Sequence, residues 1–263
     1  MGFSSKAENF KTEEMECSVP FNDRELSISF LVFKPMVMVV DDFIEALKEF
    51  SFFTKNLGCI QSSVLKSIHG NMIIWCGTWA KRSIQNTESL TEELLQNLTN
   101  MSDMASLTDL SFFDAYAGDS MDGSSVAKFS SNSTISMISA AAKSGDIDDL
   151  SYACLAIFKS RFRKMEGVKS GICLKCESRP SVVSLYVWNS LFNCYSWILN
   201  SDHMKSMLPY LDRFPQLCVK YDMFQVVDVT VSDHTNTIPY FQYLVPQHML
   251  DNDQDKRIKS CVM

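Results

Sequence analysis

Between Val40 and Met101 the chain spells a helix, a tight hairpin and a second helix, an order that points to an antiparallel sheet flanked by helices. Val40, Phe43, Ile44, Leu47 and Phe50 recur at helical spacing, with Asp41 and Asp42 in the first turn and Gly58 near the exit. Val64–Ile68 and Met72–Trp79 are β-prone runs joined at His69-Gly70-Asn71, where Gly and Asn accept the positive φ of a tight turn. Ser89-Leu90-Thr91-Glu92 reads as a capping box, continued as a helix by Leu94, Leu98 and Met101. Ahead of this unit, Ser27–Lys34 is rich in β-formers and ends at Pro35, as a strand does.

Beyond it the composition shifts. Ser102–Ser144 is rich in Ser, Asp and Gly, with turn chemistry at Asp119–Gly123 and a short alternation around Ile135, Met137 and Ile138. Tyr152–Phe158 is an unbroken apolar run, predicted as a strand covered on both faces and paired across Glu166-Gly167 with Val168–Cys176. Val182–Trp188 reads as a strand and Leu191–Leu199 as a helix. Ser201-Asp202 would cap a further helix carrying Met204, Met207, Leu208 and Leu211, stopped by Pro215. Val219–Val231 is predicted as a last strand with a bulge near Phe224. The expected class is α+β: a central, mostly antiparallel sheet built from hairpins and flanked by helices. Residues 1–16 are expected to be a flexible arm and 233–263 a tail, around a globular region, 17–232, divisible near 117–148.

Charge and cysteine content narrow the function classes. Lys+Arg 24 against Asp+Glu 31 gives −7, so no nucleic-acid partner is expected. Nine cysteines are an odd number, and no basic, then apolar leader stands at the N-terminus, so reduced thiols and an intracellular, cytoplasmic setting are expected, the nucleus remaining open. Pro180–Ser201 carries no charge, but Asn189, Asn193, Ser196 and Asn200 would put a polar stripe in lipid. No transmembrane span is expected, whereas peripheral membrane contact stays open.

The order of elements over about residues 40 to 160 resembles the roadblock and longin-like folds, which implies a binding surface for GTPase or vesicle-traffic complexes and no catalysis. The segments Ser67-Ile-His-Gly-Asn-Met-Ile-Ile-Trp75, Phe113-Asp-Ala-Tyr-Ala-Gly-Asp119 with Asp122-Gly-Ser-Ser125, and Cys194-Tyr-Ser-Trp-Ile-Leu-Asn200 resemble a plant-specific family of uncharacterised proteins over about residues 17 to 231. That family has no assigned activity, and the resemblance implies a eukaryotic intracellular setting.

Few residues carry recognisable chemistry. Cys173-Leu-Lys-Cys176 is the one C-x-x-C, and zinc would have to recruit Cys194 and His203. On a strand the two thiols point to opposite faces, so Cys173 and Cys176 read as ordinary thiols, with no metal and no cofactor expected. His69 could meet Asp114 or Asp119, but a solvated turn histidine fits the pattern better, and no nucleophile elbow or phosphate-binding loop occurs. From 159 to 179, Lys159, Arg161, Arg163, Lys164, Lys169, Lys175 and Arg179 face Glu166 and Glu177, seven against two. If the strand from Tyr152 runs on, Lys159, Arg161 and Arg163 share one face of a basic hairpin that could hold an anion or an acidic partner. The competing reading pairs these cations with the chain's own Asp146, Asp148 and Asp149. With no catalytic residue indicated, the sequence reads as a non-catalytic scaffold or regulatory protein with a protein partner. The alternative is an enzyme or binding protein that holds a phosphorylated or anionic small molecule on the basic hairpin.

Overall fold

The computed structural model describes residues 15–143, 146–200, 214 and 217–232. A short strand, β1 (Glu16–Pro20), precedes two consecutive β-α-β-β-α-β units. The first runs β2 (Leu26–Pro35), α1 (Val40–Asn56), β3 (Cys59–Ser67), β4 (Ile73–Ala80), α2 (Ile84–Leu98) and β5 (Ala105–Ser120). After β6 (Val126–Ser130) comes the second: β7 (Thr134–Ala141), α3 (Ile147–Arg161), β8 (Val168–Cys176), β9 (Ser181–Trp188), α4 (Leu191–Asn200) and β10 (Cys218–Val231). Each unit orders its strands fourth, first, third, second. The two sheets join edge to edge through β3–β10 and β5–β8 into a closed barrel of antiparallel strands.

That closure corrects the open, roadblock- or longin-like sheet. The strands that close the ring, β5 and β10, are long enough to pair on both sides: β5 with β2 and β8, β10 with β7 and β3. β5 is also what the composition concealed. Its polar residues sit outward and find charges: Asp109 on Arg179, Asp114 on Lys81, Asp119 on Arg163.

Local signals explain most elements. α1 follows its apolar spacing, burying Phe43, Ile44, Leu47 and Phe50, and ends where Gly58 takes φ +87°. α2 starts ahead of the Ser89 box: Ser83 is its cap, accepting from the Asn86 amide, so Ser89 and Glu92 lie inside the helix. The run Tyr152–Phe158 is helical, part of α3, not a strand. Asp146 caps it by accepting from the Asp148 amide at 2.9 Å, and burial recurs at Leu150, Cys154, Ile157, Phe158 and Arg161 while Tyr152 is 69% exposed. Consequently β8 pairs with β5 and β9 rather than with 152–158. The β10 register shift falls between Val226 and Asp228, beyond Phe224. The helix expected over 201–211, and most of the expected arm and tail, lie outside the described residues.

The barrel lumen is filled. Every barrel strand contributes to one interior cluster, most of them through alternate residues, and it also takes Cys17, Val19 and Phe21 from the β1 side and Ala127 and Phe129 from β6. β6 touches both β5 and β10, which stand opposite one another in the ring, so the antiparallel β1–β6 ribbon crosses the lumen. Gln61 holds it there, accepting from the Ser18 amide at 3.0 Å and donating to the Ser18 carbonyl at 2.7 Å. No described helix is long and apolar enough to cross a membrane.

Candidate functional site

The outer faces of the two sheets differ in chemistry, and a repeated hydrogen bond allows them to be compared position by position. Trp79 Nε1 donates to Ser29 Oγ at 2.8 Å in the first unit, and Trp188 Nε1 donates to Ser136 Oγ at 2.9 Å in the second. In that register Val64 opposite Trp75 corresponds to Cys173 opposite Ser184, and Leu31 opposite Trp75 to Ile138 opposite Ser184. Counting from the helix starts, Leu47 corresponds to Cys154 and Thr54 to Arg161.

In the first unit this interface is a dry aromatic core. Trp75, Trp79, Phe43, Phe50, Leu47 and Leu90 fill it, and Trp75 Nε1 is satisfied by Ser51 Oγ. In the second unit the same places hold Cys173, Ser184, Cys154 and Arg161, and Tyr186 stands where the first unit has Gly77. A residual cavity of about 20 Å³ remains between Ile138, Ala140, Cys154, Ile157, Ser184, Tyr186 and Val219. Cys173 Sγ lies 3.6 Å from Ser184 Oγ.

Tyr116, on β5, links this interface, which also buries Phe158, Phe162 and Trp188, to the surface. Its hydroxyl donates to the Ser151 carbonyl of α3 at 3.1 Å, beside Cys173. It also lines a cavity of about 460 Å³ at the β5–β8 seam, with Asn22, Asp23, Arg24, Lys81, Asp114, Ala115 and Lys175. That volume suits a small ligand. The lysines at this seam are matched by acids. Lys81 bonds Asp114 and lies 3.5 Å from Glu177, and Lys175 lies 3.4 Å from Asp148. Burial alone would lower the Lys81 pKa, but Asp114 and Glu177 leave it raised, so the ammonium is kept.

Burial also sets the thiols. Desolvation pushes Cys173 up to about 12, although hydrogen bonds with Ser184 and Tyr116 pull the other way, and it pushes Cys154 to about 12 as well. Tyr116 and Tyr186 are likewise raised, chiefly by desolvation. The Cys154 and Cys173 thiols and the Tyr116 and Tyr186 hydroxyls therefore stay protonated and neutral at neutral pH, with the buried Arg161 in the same interface.

The basic residues singled out in the sequence from Lys159 to Lys175 lie on three different elements. Lys159 and Arg161 end α3, Arg163 and Lys164 form a short 3-10 turn, and Lys169 and Lys175 are on β8, so no continuous basic hairpin exists. Arg161 is buried, Arg163 pairs with Asp119 at 2.6 Å, and Lys159 reaches the Gly118 carbonyl at 3.5 Å. Lys164 and Lys169 are exposed, and Lys175 alone of this set lines the seam cavity. Cys173 and Cys176 face opposite sides of β8, Cys173 toward the helices and Cys176 into the lumen, and no metal-binding cluster occurs among the described residues. His69 meets Tyr195 of α4 rather than Asp114 or Asp119. Tyr116, Ser184 and Tyr186 carried no motif. Only the pairing of the two units, which requires the strand register, brings them out.

No curated protein matches the sequence. The fold recurs among solved structures. A protein described as anthrone oxidase-like superposes with a TM-score of 0.65 at 14% identity, covering 83% of this chain and 98% of its own. A putative monooxygenase from Fusobacterium nucleatum gives 0.54 at 9% identity, covering 78% and 94%. The scaffold reading rested on the absence of a catalytic constellation, a surface charge asymmetry and a Ser-rich loop, beside the roadblock- or longin-like analogy that implied a binding surface. A closed barrel, the fold shared with the proteins described as anthrone oxidase-like and as a putative monooxygenase, overturns that analogy and with it the scaffold reading. Residues 111–224, which contain Tyr116, Cys154, Arg161, Cys173, Ser184 and Tyr186, match the model of a Domain of unknown function (DUF7392).

Proposed function

We propose that the chain binds a small, neutral, oxygen-bearing molecule in the seam cavity and orients it against Tyr116. The observation that carries this reading is the mixture of charges around a space of about 460 Å³: Arg24, Lys81 and Lys175 stand with Asp23 and Asp114, and Lys81 and Lys175 are each paired with a carboxylate, so the wall offers both donors and acceptors. A hydroxyl of the ligand would donate to the Tyr116 oxygen or to Asp114, and a carbonyl would accept from Lys81 or Lys175. Phenols and aromatic ketones have that combination.

The name of the anthrone oxidase-like protein supplies a first probe, a hydroxylated anthrone. Titration calorimetry with the full chain should give saturable binding, weakened about tenfold by Tyr116→Phe, which removes one hydrogen bond. Equal affinity of the wild type and Tyr116→Phe, or no binding by any hydroxylated aromatic ketone, refutes this reading.

A further inference from the structure

A second cavity, of about 300 Å³, opens beside the β1–β6 ribbon and the start of β8. Its wall includes Ser170, which is 4% exposed and whose hydroxyl has no hydrogen-bond partner. A buried hydroxyl without a partner costs free energy unless something satisfies it. Neighbouring serines are already engaged: Ser120 Oγ donates to the Ser124 carbonyl at 2.7 Å, Ser124 Oγ to the Val126 carbonyl at 3.2 Å, and Ser133 Oγ accepts from the Ser130 amide at 3.0 Å. Ser170 is the one left over.

The charges around it cancel. Glu16 and Asp122 stand against Lys128 and Lys169, and Lys128 lies 3.9 Å from Glu16. A wall of zero net charge gives an ion no advantage, and one that mixes amines, carboxylates and the Asn189 amide with Met121, Val126, Phe129 and Val168 suits a molecule with both hydroxyls and C–H faces better than a bare hydrocarbon. Hydroxyl groups, which donate and accept at once, match a mixture of ammonium donors and carboxylate acceptors. We propose that this cavity binds a small uncharged polyol, of monosaccharide or inositol size, with one ligand hydroxyl bonded to Ser170. Because β1 and β6 supply Glu16 and Lys128, the bound polyol would also tie the lumen ribbon to β8.

The test uses the full chain, titrated calorimetrically with myo-inositol, glucose and galactose, and with inorganic phosphate as the charged probe. At least one polyol should saturate, phosphate should not, and Ser170→Ala should weaken polyol binding about tenfold for the lost hydrogen bond. Ser170→Ala removes an unpaired buried hydroxyl, so the variant should fold at least as stably as the wild type, which a thermal melt checks. Absence of saturation by every polyol up to about 10 mM, undiminished binding by Ser170→Ala, or preference for phosphate each overturns the proposal. The site shares no residue with the seam cavity, so its failure leaves the seam reading untouched.

Discussion

Trp75 and Ser184 occupy the same place in the two units of the barrel, each on the third strand of its sheet and facing the helices. The large indole closes the first interface, and the small hydroxyl leaves the second incompletely filled.

That difference is measurable as stability. Trp75→Ala should cost about 3–5 kcal/mol, the range for emptying a buried aromatic site. Ser184→Ala, beside an existing void, should stay within about 1 kcal/mol. Urea unfolding of both variants checks the contrast, and equal losses would show that the interfaces are packed alike.

A close approach in the lumen yields a second expectation. A Cβ on Gly118 would lie 2.1 Å from the Phe21 ring and 2.8 Å from the Gly171 carbonyl. Gly118→Ala should therefore destabilise by about 1–3 kcal/mol, and adding Phe21→Ala should cost less than the sum of the single changes. Additive losses in that double-mutant cycle would place Phe21 away from β5.

The thiols give an alkaline signature. Desolvation pushes Cys59, Cys76, Cys154 and Cys173 up to about 12. A folded pKa above the unfolded value contributes stability that is present below the ordinary thiol value of 9.0 and lost as pH rises toward 12. Stability should fall across that window. At pH 8, iodoacetamide should label Cys218 first among the described cysteines, because it alone is exposed. Peptide mapping that found Cys173 modified as fast as Cys218 would contradict the burial.

At acid pH the sign reverses for Asp122. The Ser124 amide, which donates to Asp122 Oδ1 at 2.9 Å, is the chief cause that lowers its pKa from 3.8 to about 2. A depressed carboxyl contributes stability above its unfolded pKa that disappears as pH drops through the folded value. Asp122→Asn should remove this share of the acid sensitivity between those two pH values, and titration of the Asp122 carboxyl by NMR would show the shift itself.

Much of the first unit was readable because its apolar residues repeat at the period of the element that holds them, as in α1 and the β3–β4 hairpin. The second unit hid its period. Tyr152–Phe158 is apolar on nearly every residue, so helix and strand look alike until burial shows Tyr152 outside and Phe158 inside. β5 was invisible because its Asp and Ser residues are stabilised by Arg and Lys from distant segments, a tertiary effect that no local pattern records. The candidate site was illegible for the same reason. Tyr116 and Lys175 line one cavity across a strand pair, β5 with β8, that joins residues about sixty apart.

Hydrogen–deuterium exchange with and without a hydroxylated anthrone measures the site most directly. Protection should rise in peptides covering Asn22–Arg24, Lys81, Asp114–Tyr116 and Lys175, while the aromatic interface around Trp75 and Trp79 stays unchanged. Saturating ligand that protects only other segments, or none, would contradict a binding site at the junction of the two units.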